Sequence, residues 1–236
     1  ARIGDVDITL AAYQDHLFQV SGLGALEDLI YLRLLEAEGA RKGITVTARF
    51  ERNRQYPTFR GTARMKCNPW DIIAVVQDAD RHVEWAHKCS ESAKLKQIDT
   101  TTAIVYSRTG LPWPVKDRDV ILKGSVSVIQ PDTELRIRFR AINSGLKKLP
   151  QDVIRIPVLE GHWYLVGMGE NKCFAEYQVN ADPGGALPAW LVEQSSRDMP
   201  LITIKNMRKQ VAATKAAGLY DDWIAEARAF KQGSDG

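Results

Sequence analysis

The histidines near residue 82 are the first candidates for chemistry. His82 and Glu84 form an HxE pair, which zinc deaminases combine with a PCxxC motif that this chain lacks. His82 and His87 lie five residues apart, so a helix would place them on different faces, which disfavours a shared metal ion. No GxSxG, P-loop or GxGxxG motif stands in a suitable context. The sequence therefore predicts no catalytic residue, no metal site and no cofactor.

The three cysteines, Cys67, Cys89 and Cys173, offer no redox or metal motif either. Their odd number rules out a fully paired disulfide framework, and none belongs to a CxxC pair. We expect each to be a small buried apolar side chain.

Composition narrows the class of protein further. Apolar residues make up 44% of the 236 positions, enough for a sizeable core, and the net charge is +3. This charge is too small for a nucleic-acid-binding surface but suits weak attraction to an anionic membrane. No apolar run reaches 18 residues and no secretory signal pattern is present. The chain begins at Ala1, so an exported origin stays open.

Apolar spacing indicates where the helices lie. Leu, Ile and Tyr recur at helical intervals over residues 23–38, and a helix of about three turns is expected after Pro69, over residues 70–85. A long helix is expected over residues 186–208, and residues 221–230 favour a short one.

Strands are indicated by alternation of apolar and polar residues. Residues 58–67 place Phe59, Ala63 and Met65 on one face, and residues 133–142 set Leu135 against arginines. Further strand patterns occupy 43–51, 92–99, 100–110, 117–129, 153–158, 161–169 and 171–180, the last with Cys173, Ala175, Tyr177 and Val179 on one side. No βαβ alternation appears, so we expect an α+β protein in which a curved antiparallel sheet grips the C-terminal helix. A helix covers such a sheet only in part, and the remaining space becomes a pocket.

A run of turn-forming residues precedes the C-terminal helix. Residues 182–185, Asp-Pro-Gly-Gly, end the last strand, and Pro188 fits a first helical turn. Pro200 lies inside the helix and should bend it. One helix face is formed by Leu187, Leu191, Ser195, Met199 and Ile202.

Three motifs in this order resemble the START domain, the lipid-transfer domain related to the steroidogenic acute regulatory protein. They are "PWPVKDRDVIL" (112–122), "GHWYL" (161–165) and "NADPGGALPAWL" (180–191), and the resemblance covers about residues 40 to 210. It implies a helix-grip fold, a hydrophobic tunnel for one lipid and a lid formed by the C-terminal helix. The chain looks like a bacterial single-domain member, soluble in the cytoplasm or the periplasm.

The chain departs from the sterol-binding relatives at two positions. Those relatives pair an acidic residue with an arginine inside the tunnel, and the corresponding positions here are Arg108 and Gly124. An acid has thus become a base, and Gly124 leaves extra room. A buried Arg108 needs a partner, which is either a protein carboxylate or an anionic headgroup.

We expect large apolar and aromatic residues of the strands and the C-terminal helix to contact the ligand. The predicted ligand-binding residues are Trp85, Ile104, Tyr106, Arg108, Trp113, Val120, Leu122, Ile137, Phe139, Trp163, Leu165, Tyr177, Leu187, Leu191, Met199 and Ile202.

The predicted function is non-enzymatic binding and intermembrane transfer of one lipid, which is a phospholipid, a fatty acid or a sterol-like molecule. An enzyme of the same superfamily, a cyclase or hydrolase, is an alternative that needs an acid or base in the tunnel, with Tyr106, Tyr177 and Arg108 as candidates. A ligand-gated interaction module is another.

Partners and boundaries complete the expectations. We expect a monomer that binds no nucleic acid and meets an anionic membrane transiently. Two basic groups are either a solvated face or the surface that contacts the membrane or an acidic partner during lipid exchange: Arg136, Arg138 and Arg140 on one strand, and Lys205, Arg208 and Lys209 on the late helix. The expected boundaries are an N-terminal helical segment at 1–38, the lipid-binding domain at 39–212 and an extension at 213–236.

Overall fold

The computed structural model describes residues 8–9, 39, 41–49, 56–185 and 189–233 of the chain. The strands are β1 (Ile8–Thr9), β2 (Ile44–Arg49), β3 (Thr58–Met65), β4 (Cys89–Asp99), β5 (Thr102–Thr109), β6 (Asp117–Gln130), β7 (Glu134–Ala141), β8 (Val153–Arg155), β9 (Val158–Gly167) and β10 (Cys173–Asp182). The helices are α1 (Pro69–Gln77), a 3₁₀ helix (Ala79–Glu84), α2 (Ala189–Ala216) and α3 (Asp221–Gly233). The predicted helix over 23–38 lies outside the described residues.

The described strands form one sheet in the order β1-β2-β3-β10-β9-β7-β6-β5-β4. Every neighbouring pair along this path is antiparallel, as predicted. The short strand β8 lies off the path and pairs with the start of β6 in parallel. The helix-grip fold expected from the sequence is therefore confirmed.

Alternation along the strands separates an inner apolar face from an outer polar one. On β10, Cys173, Ala175, Tyr177 and Val179 are buried, which is the face that the alternation predicted. β3 and β7 follow the same rule, and Arg138 of β7 is exposed on the outer side. The inner faces of these strands form the wall of the core.

The helix predicted over residues 70–85 divides into two parts. α1 begins with a capping box, in which the Asn68 side chain accepts from Trp70 N at 2.9 Å and Asp71 Oδ2 accepts from Asn68 N at 2.8 Å. It ends at Asp78, whose ψ of 74° is not helical, and a 3₁₀ helix follows. This break lets the chain turn before β4 and brings residues 82–89 over the end of the sheet.

α2 covers the inner face of the sheet on one side. It packs against β2, β3, β10 and α1, and it continues through Pro200. Gly61 of β3 permits a close approach, because a Cβ there would lie 2.9 Å from Pro200 Cβ and 2.7 Å from Ile204 Cδ1. The apolar side chains of α2 thus meet the sheet where β3 runs beneath it. Among the described helices, none combines the length and apolar character needed to cross a membrane.

Gly161 of β9 allows the packing of the sheet to be tested. A Cβ at this position would overlap Gln178 O and lie 2.6 Å from Phe139 Cζ. Gly161→Ala should therefore force backbone and ring apart and lower the free energy of unfolding by about 3 kcal/mol, the upper part of the range for overpacked cores. Urea unfolding followed by circular dichroism measures this change.

Gly145→Ala is the matched control. Nothing lies within 4 Å of a Cβ at Gly145, so the same substitution should change stability by less than about 1 kcal/mol. Equal unfolding midpoints for the two variants would contradict the packing argument.

Candidate functional site

A cavity of about 160 Å³ lies between the inner face of the sheet, the end of α1 and the middle of α2. Its walls come from β5, β6, β7, β9, β10, the segment 82–89 and the helices. The lining residues are Val76, Gln77, His82, Trp85, Ala86, His87, Cys89, Ala103, Val105, Ser107, Thr109, Val120, Leu122, Gly124, Ile137, Phe139, Ile156, Leu159, Trp163, Tyr177, Met199 and Thr203.

Aromatic rings form one end of the cavity. The ring centroids of Trp163 and Tyr177 are 4.8 Å apart, and Phe139 stacks on Tyr177 at 6.1 Å. Tyr177 Oη donates to Met199 Sδ of α2 at 3.6 Å, and burial raises the pKa of this phenol. This end of the cavity therefore offers flat apolar surfaces and a neutral hydroxyl that is already engaged.

Polar groups of the lining gather on the segment 82–89. The His82 Nε2 atom lies 2.8 Å from Val76 O, and the His82 ring meets the edge of Trp85 with centroids 5.1 Å apart. Burial lowers the pKa of His82, and burial together with the nearby Lys88 charge lowers the pKa of His87 to about 4. Both imidazoles are therefore neutral at pH 7.

The lining carries no formal charge in the part of the chain that the structure describes. Its members include no Asp, Glu, Lys or Arg, and its polar atoms belong to hydroxyl, amide, thiol, indole and imidazole groups. Gly124 adds space, since the nearest atom to a Cβ there would be Arg138 O at 4.0 Å. The site is thus shaped for an apolar molecule with few polar atoms.

Eight of the residues predicted to bind ligand line this cavity. They come from strands and helices that are distant in sequence, which the sheet brings together. These residues are Trp85, Val120, Leu122, Ile137, Phe139, Trp163, Tyr177 and Met199.

Three predicted residues of β5 lie on the opposite face of that strand. The residues of β5 that line the cavity are Ala103, Val105, Ser107 and Thr109. Because side chains alternate along a strand, Ile104, Tyr106 and Arg108 point to the outer side. Sequence reasoning chose the other face because it carries the larger side chains. The outer side is itself covered at this place: Tyr106 is buried, and Lys147 lies 4.5 Å above its ring.

The remaining predicted residues are placed away from the cavity or outside the description. Trp113 is 92% exposed on the turn between β5 and β6. Leu165 is buried in the core, and Ile202 is half-buried on α2, without lining the cavity. Leu187 lies outside the described residues, and of Leu191 the structure describes the backbone in α2.

The charged residues beside β5 form ion pairs on the outer side. Arg108 donates to Asp117 Oδ2 at 2.7 and 2.8 Å, so its partner is a protein carboxylate rather than a ligand. Asp119 is fully buried and accepts two hydrogen bonds from Arg155, at 2.7 and 3.0 Å. These pairs fasten β8 and the turn after β5 to the sheet.

A larger depression of about 430 Å³ lies on the outer face. It is lined by Arg138, Arg140, Lys123 and Glu160, among other polar residues. This surface is open and charged, so water competes there for every polar contact. An apolar ligand is therefore better accommodated in the smaller internal cavity.

Residues of the cavity that the sequence did not single out are mainly small or polar. Ser107, Thr109 and Thr203 carry no apolar signal, and His82 and His87 were considered as a metal pair and set aside. No cluster of three or more metal-ligating side chains occurs among the described residues. The imidazoles enter the site because the helix breaks at Asp78, which no periodicity indicates.

Comparison with known proteins identifies the family. The sequence profile of the START domain matches residues 37–216, and the chain belongs to this family. Uncharacterized protein PA1579 of Pseudomonas aeruginosa is 31% identical over 168 residues, which are 70% of this chain and 81% of that protein.

Solved structures share the fold. A STAR-related lipid transfer protein from Xanthomonas axonopodis superposes with a TM-score of 0.66 at 29% identity, covering 72% of this chain and 94% of that one. Human STARD10 superposes with a TM-score of 0.66 at 20% identity, covering 79% and 78% of the two chains. The START family predicted from the three motifs is therefore confirmed.

The half-buried imidazole of His87 should make stability depend on pH. Its pKa is about 4 in the folded protein and about 6.5 when exposed, so the unfolded chain binds the proton more readily. The contribution is fully present above pH 6.5, and stability is lost as the pH falls from 6.5 towards 4. His82, whose pKa is also lowered, adds to the same trend.

His87→Gln should flatten this dependence, because glutamine has no proton to gain. Urea unfolding of both proteins at several pH values between 7.5 and 4.5 measures the difference in unfolding free energy. We expect the wild type to lose more stability than the variant over this range. If the unfolding free energies of the two proteins change in parallel with pH, protonation of His87 is not coupled to unfolding.

Proposed function

We propose that this protein binds one hydrophobic lipid in the internal cavity and carries it between membranes without chemical change. The observation that carries the proposal is an uncharged, aromatic-walled internal cavity beside α2 in a chain of the START family. The Xanthomonas relative at 29% identity, which is named a lipid transfer protein, supports it. Burial supplies the affinity, since each methylene removed from water contributes about 0.8 kcal/mol.

The size of the cavity indicates that binding involves movement. A volume of about 160 Å³ is close to that of an engineered cavity that holds benzene in another protein. A long-chain lipid is several times larger, so the walls must separate to admit it. α2 contributes Met199 and Thr203 to one wall and is the candidate lid.

The turn before α2 is a candidate hinge. Gly184 and Gly185 have φ values of +65° and +67°, which glycine adopts without strain. The turn is held in place by Arg118, a buried residue of β6 that donates to Pro183 O and Gly184 O, both at 3.1 Å. Arg118 therefore connects the sheet to the start of the lid.

Membrane contact is proposed for the exposed turn between β5 and β6. Trp113 is 92% exposed there, and Lys116 lies three residues on. Tryptophan and lysine together suit the interface of an anionic membrane. Of the basic residues expected to serve this purpose, Arg208 instead donates to the backbone carbonyls of Lys42, Gly43 and Arg64.

An enzyme remains the second candidate, because His82 and His87 line the cavity and a neutral imidazole can accept a proton. The mass of the recovered lipid distinguishes lipid transport from catalysis. A carried lipid is recovered with its mass unchanged after prolonged incubation, whereas a substrate is converted. Conversion that disappears in His82→Gln or His87→Gln would overturn the non-enzymatic proposal.

Native mass spectrometry of gently purified protein tests lipid binding. We expect one lipid per chain in the wild type and at least about tenfold less in Gly124→Leu, whose side chain would fill the cavity. Ser125→Leu is the matched control, because residue 125 follows on the same strand and faces the outer depression. Equal lipid retention by both variants, or no lipid in any sample, would count against the cavity as the binding site.

Lipid exchange between vesicles tests the lid. In Arg118→Lys the charge remains but the planar fork that reaches two carbonyls is lost, so the turn should loosen and exchange should quicken by about tenfold. Arg228→Lys is the control, since Arg228 of α3 pairs with Asp132 and has no contact, among the described residues, with the turn before α2 or with the turn between β5 and β6. Exchange is measured with fluorescent lipid at matched stability of the two variants.

The same assay separates the lid from the membrane contact. Exchange should be faster with anionic than with neutral vesicles, and Trp113→Ala should reduce this advantage. If Arg118→Lys and Arg228→Lys exchange lipid at the same rate, α2 does not open through the turn before it. If vesicle charge has no effect, the proposed contact surface is not used.

A further inference from the structure

Two buried side-chain nitrogen atoms of the segment 82–89 have no hydrogen-bond partner among the described residues. They are Nε1 of Trp85, a side chain that is 6% exposed, and Nε2 of His87. Both residues line the cavity. Buried polar atoms of this kind are rare in folded proteins, because leaving one unsatisfied destabilises the fold.

The chemistry of these atoms restricts what can satisfy them. The indole N–H of Trp85 is a donor and never an acceptor, so it requires an oxygen or another acceptor. The imidazole of His87 is neutral at pH 7, since its pKa is about 4, and its Nε2 either donates or accepts according to the tautomer. A hydroxyl or a carbonyl oxygen can serve either of them.

The segment that carries both side chains is held by hydrogen bonds. Asn206 of α2 donates from Nδ2 to Trp85 O at 3.0 Å, and Ala86 N donates to His82 O at 2.8 Å. Cys89 N donates to Ala86 O at 3.2 Å. The backbone that carries the two side chains is therefore held in place before any ligand arrives, which favours affinity because little order has to be created on binding.

The absence of formal charge from the described lining decides between classes of ligand. A phosphate or carboxylate drawn into this cavity would meet no lysine or arginine of the described lining, and burying an unpaired charge is strongly unfavourable. An uncharged polar end meets no such penalty. The same reasoning disfavours a quaternary ammonium headgroup, because no carboxylate belongs to the described lining.

We infer that the cavity selects uncharged lipids whose buried end carries a hydroxyl or carbonyl oxygen, bound between Trp85 Nε1 and His87 Nε2. This inference rests on the proposed function and names the class of lipid. It places the polar end beside the segment 82–89 and the hydrocarbon part against Phe139, Trp163 and Tyr177.

Short probes test the inference without requiring a large opening of the cavity. We would titrate the wild-type protein with 1-hexanol, hexane and monohexyl phosphate, and follow the indole N–H signals of its six tryptophans by NMR. Hexanol should move the Trp85 signal downfield, as a new hydrogen bond requires, and hexane should not. Hexyl phosphate should bind at least about tenfold more weakly than hexanol.

Variants distinguish the contribution of the hydrogen bonds to binding from that of the apolar walls. Trp85→Phe and His87→Phe should each weaken hexanol binding by about tenfold while leaving hexane binding unchanged, so hexane is the internal control for packing. Trp85→Phe also assigns the indole signal. If that variant does not fold, the signal is assigned through its proximity to the His82 ring.

The outcomes distinguish this inference from the proposed function. If hexanol and hexane give the same indole shift, if hexyl phosphate binds as tightly as hexanol, or if no probe binds, the inference is overturned. Retention of a long-chain lipid in the mass spectra would still support carriage in each case. If no long-chain lipid is retained, both the inference and the proposed function are contradicted.

Discussion

The apolar inner face of a curved antiparallel sheet must be shielded from water, and this requirement organises the molecule. Strand alternation places Leu135, Ile137, Trp163 and Ala175 on that face, where they are buried. One helix, α2, packs on the side of β2, β3 and β10. The side formed by β5, β6 and β7 is left to the cavity, so the site is the part of the core that the helix does not fill.

The inner faces of β3, β7 and β10 could be predicted from the sequence because their two faces differ clearly in polarity. Arginines mark the outer face of β7, and small and aromatic side chains mark the inner face of β10. Three linked motifs then identified the family. Local polarity and motif spacing were therefore enough to predict the sheet, the helix that packs on it and the general position of the pocket.

β5 shows where such reasoning stops. Its outer face carries Ile104 and Tyr106, while the face that lines the cavity carries Ser107 and Thr109. The outer face is apolar because Lys147 and the segment around it cover Tyr106. The polarity of a strand face indicates whether that face is shielded from water. It does not indicate which part of the chain shields it. The polar end of the cavity was missed for a related reason, since the break at Asp78 is a backbone feature with no pattern of side chains to reveal it.

The close approach of Gly61 to Pro200 is a candidate pivot for the proposed lid. At this point the backbone of β3 lies against α2 without an intervening side chain, and α2 lacks a backbone N–H at residue 200. The contact lies on a different side of the helix from Met199 and Thr203, which face the cavity. If α2 is the lid, as proposed, a tilt about Pro200 would widen its distance from β5, β6 and β7 while the contact with β3 is kept. Such a tilt would change the volume of the site without dismantling the core.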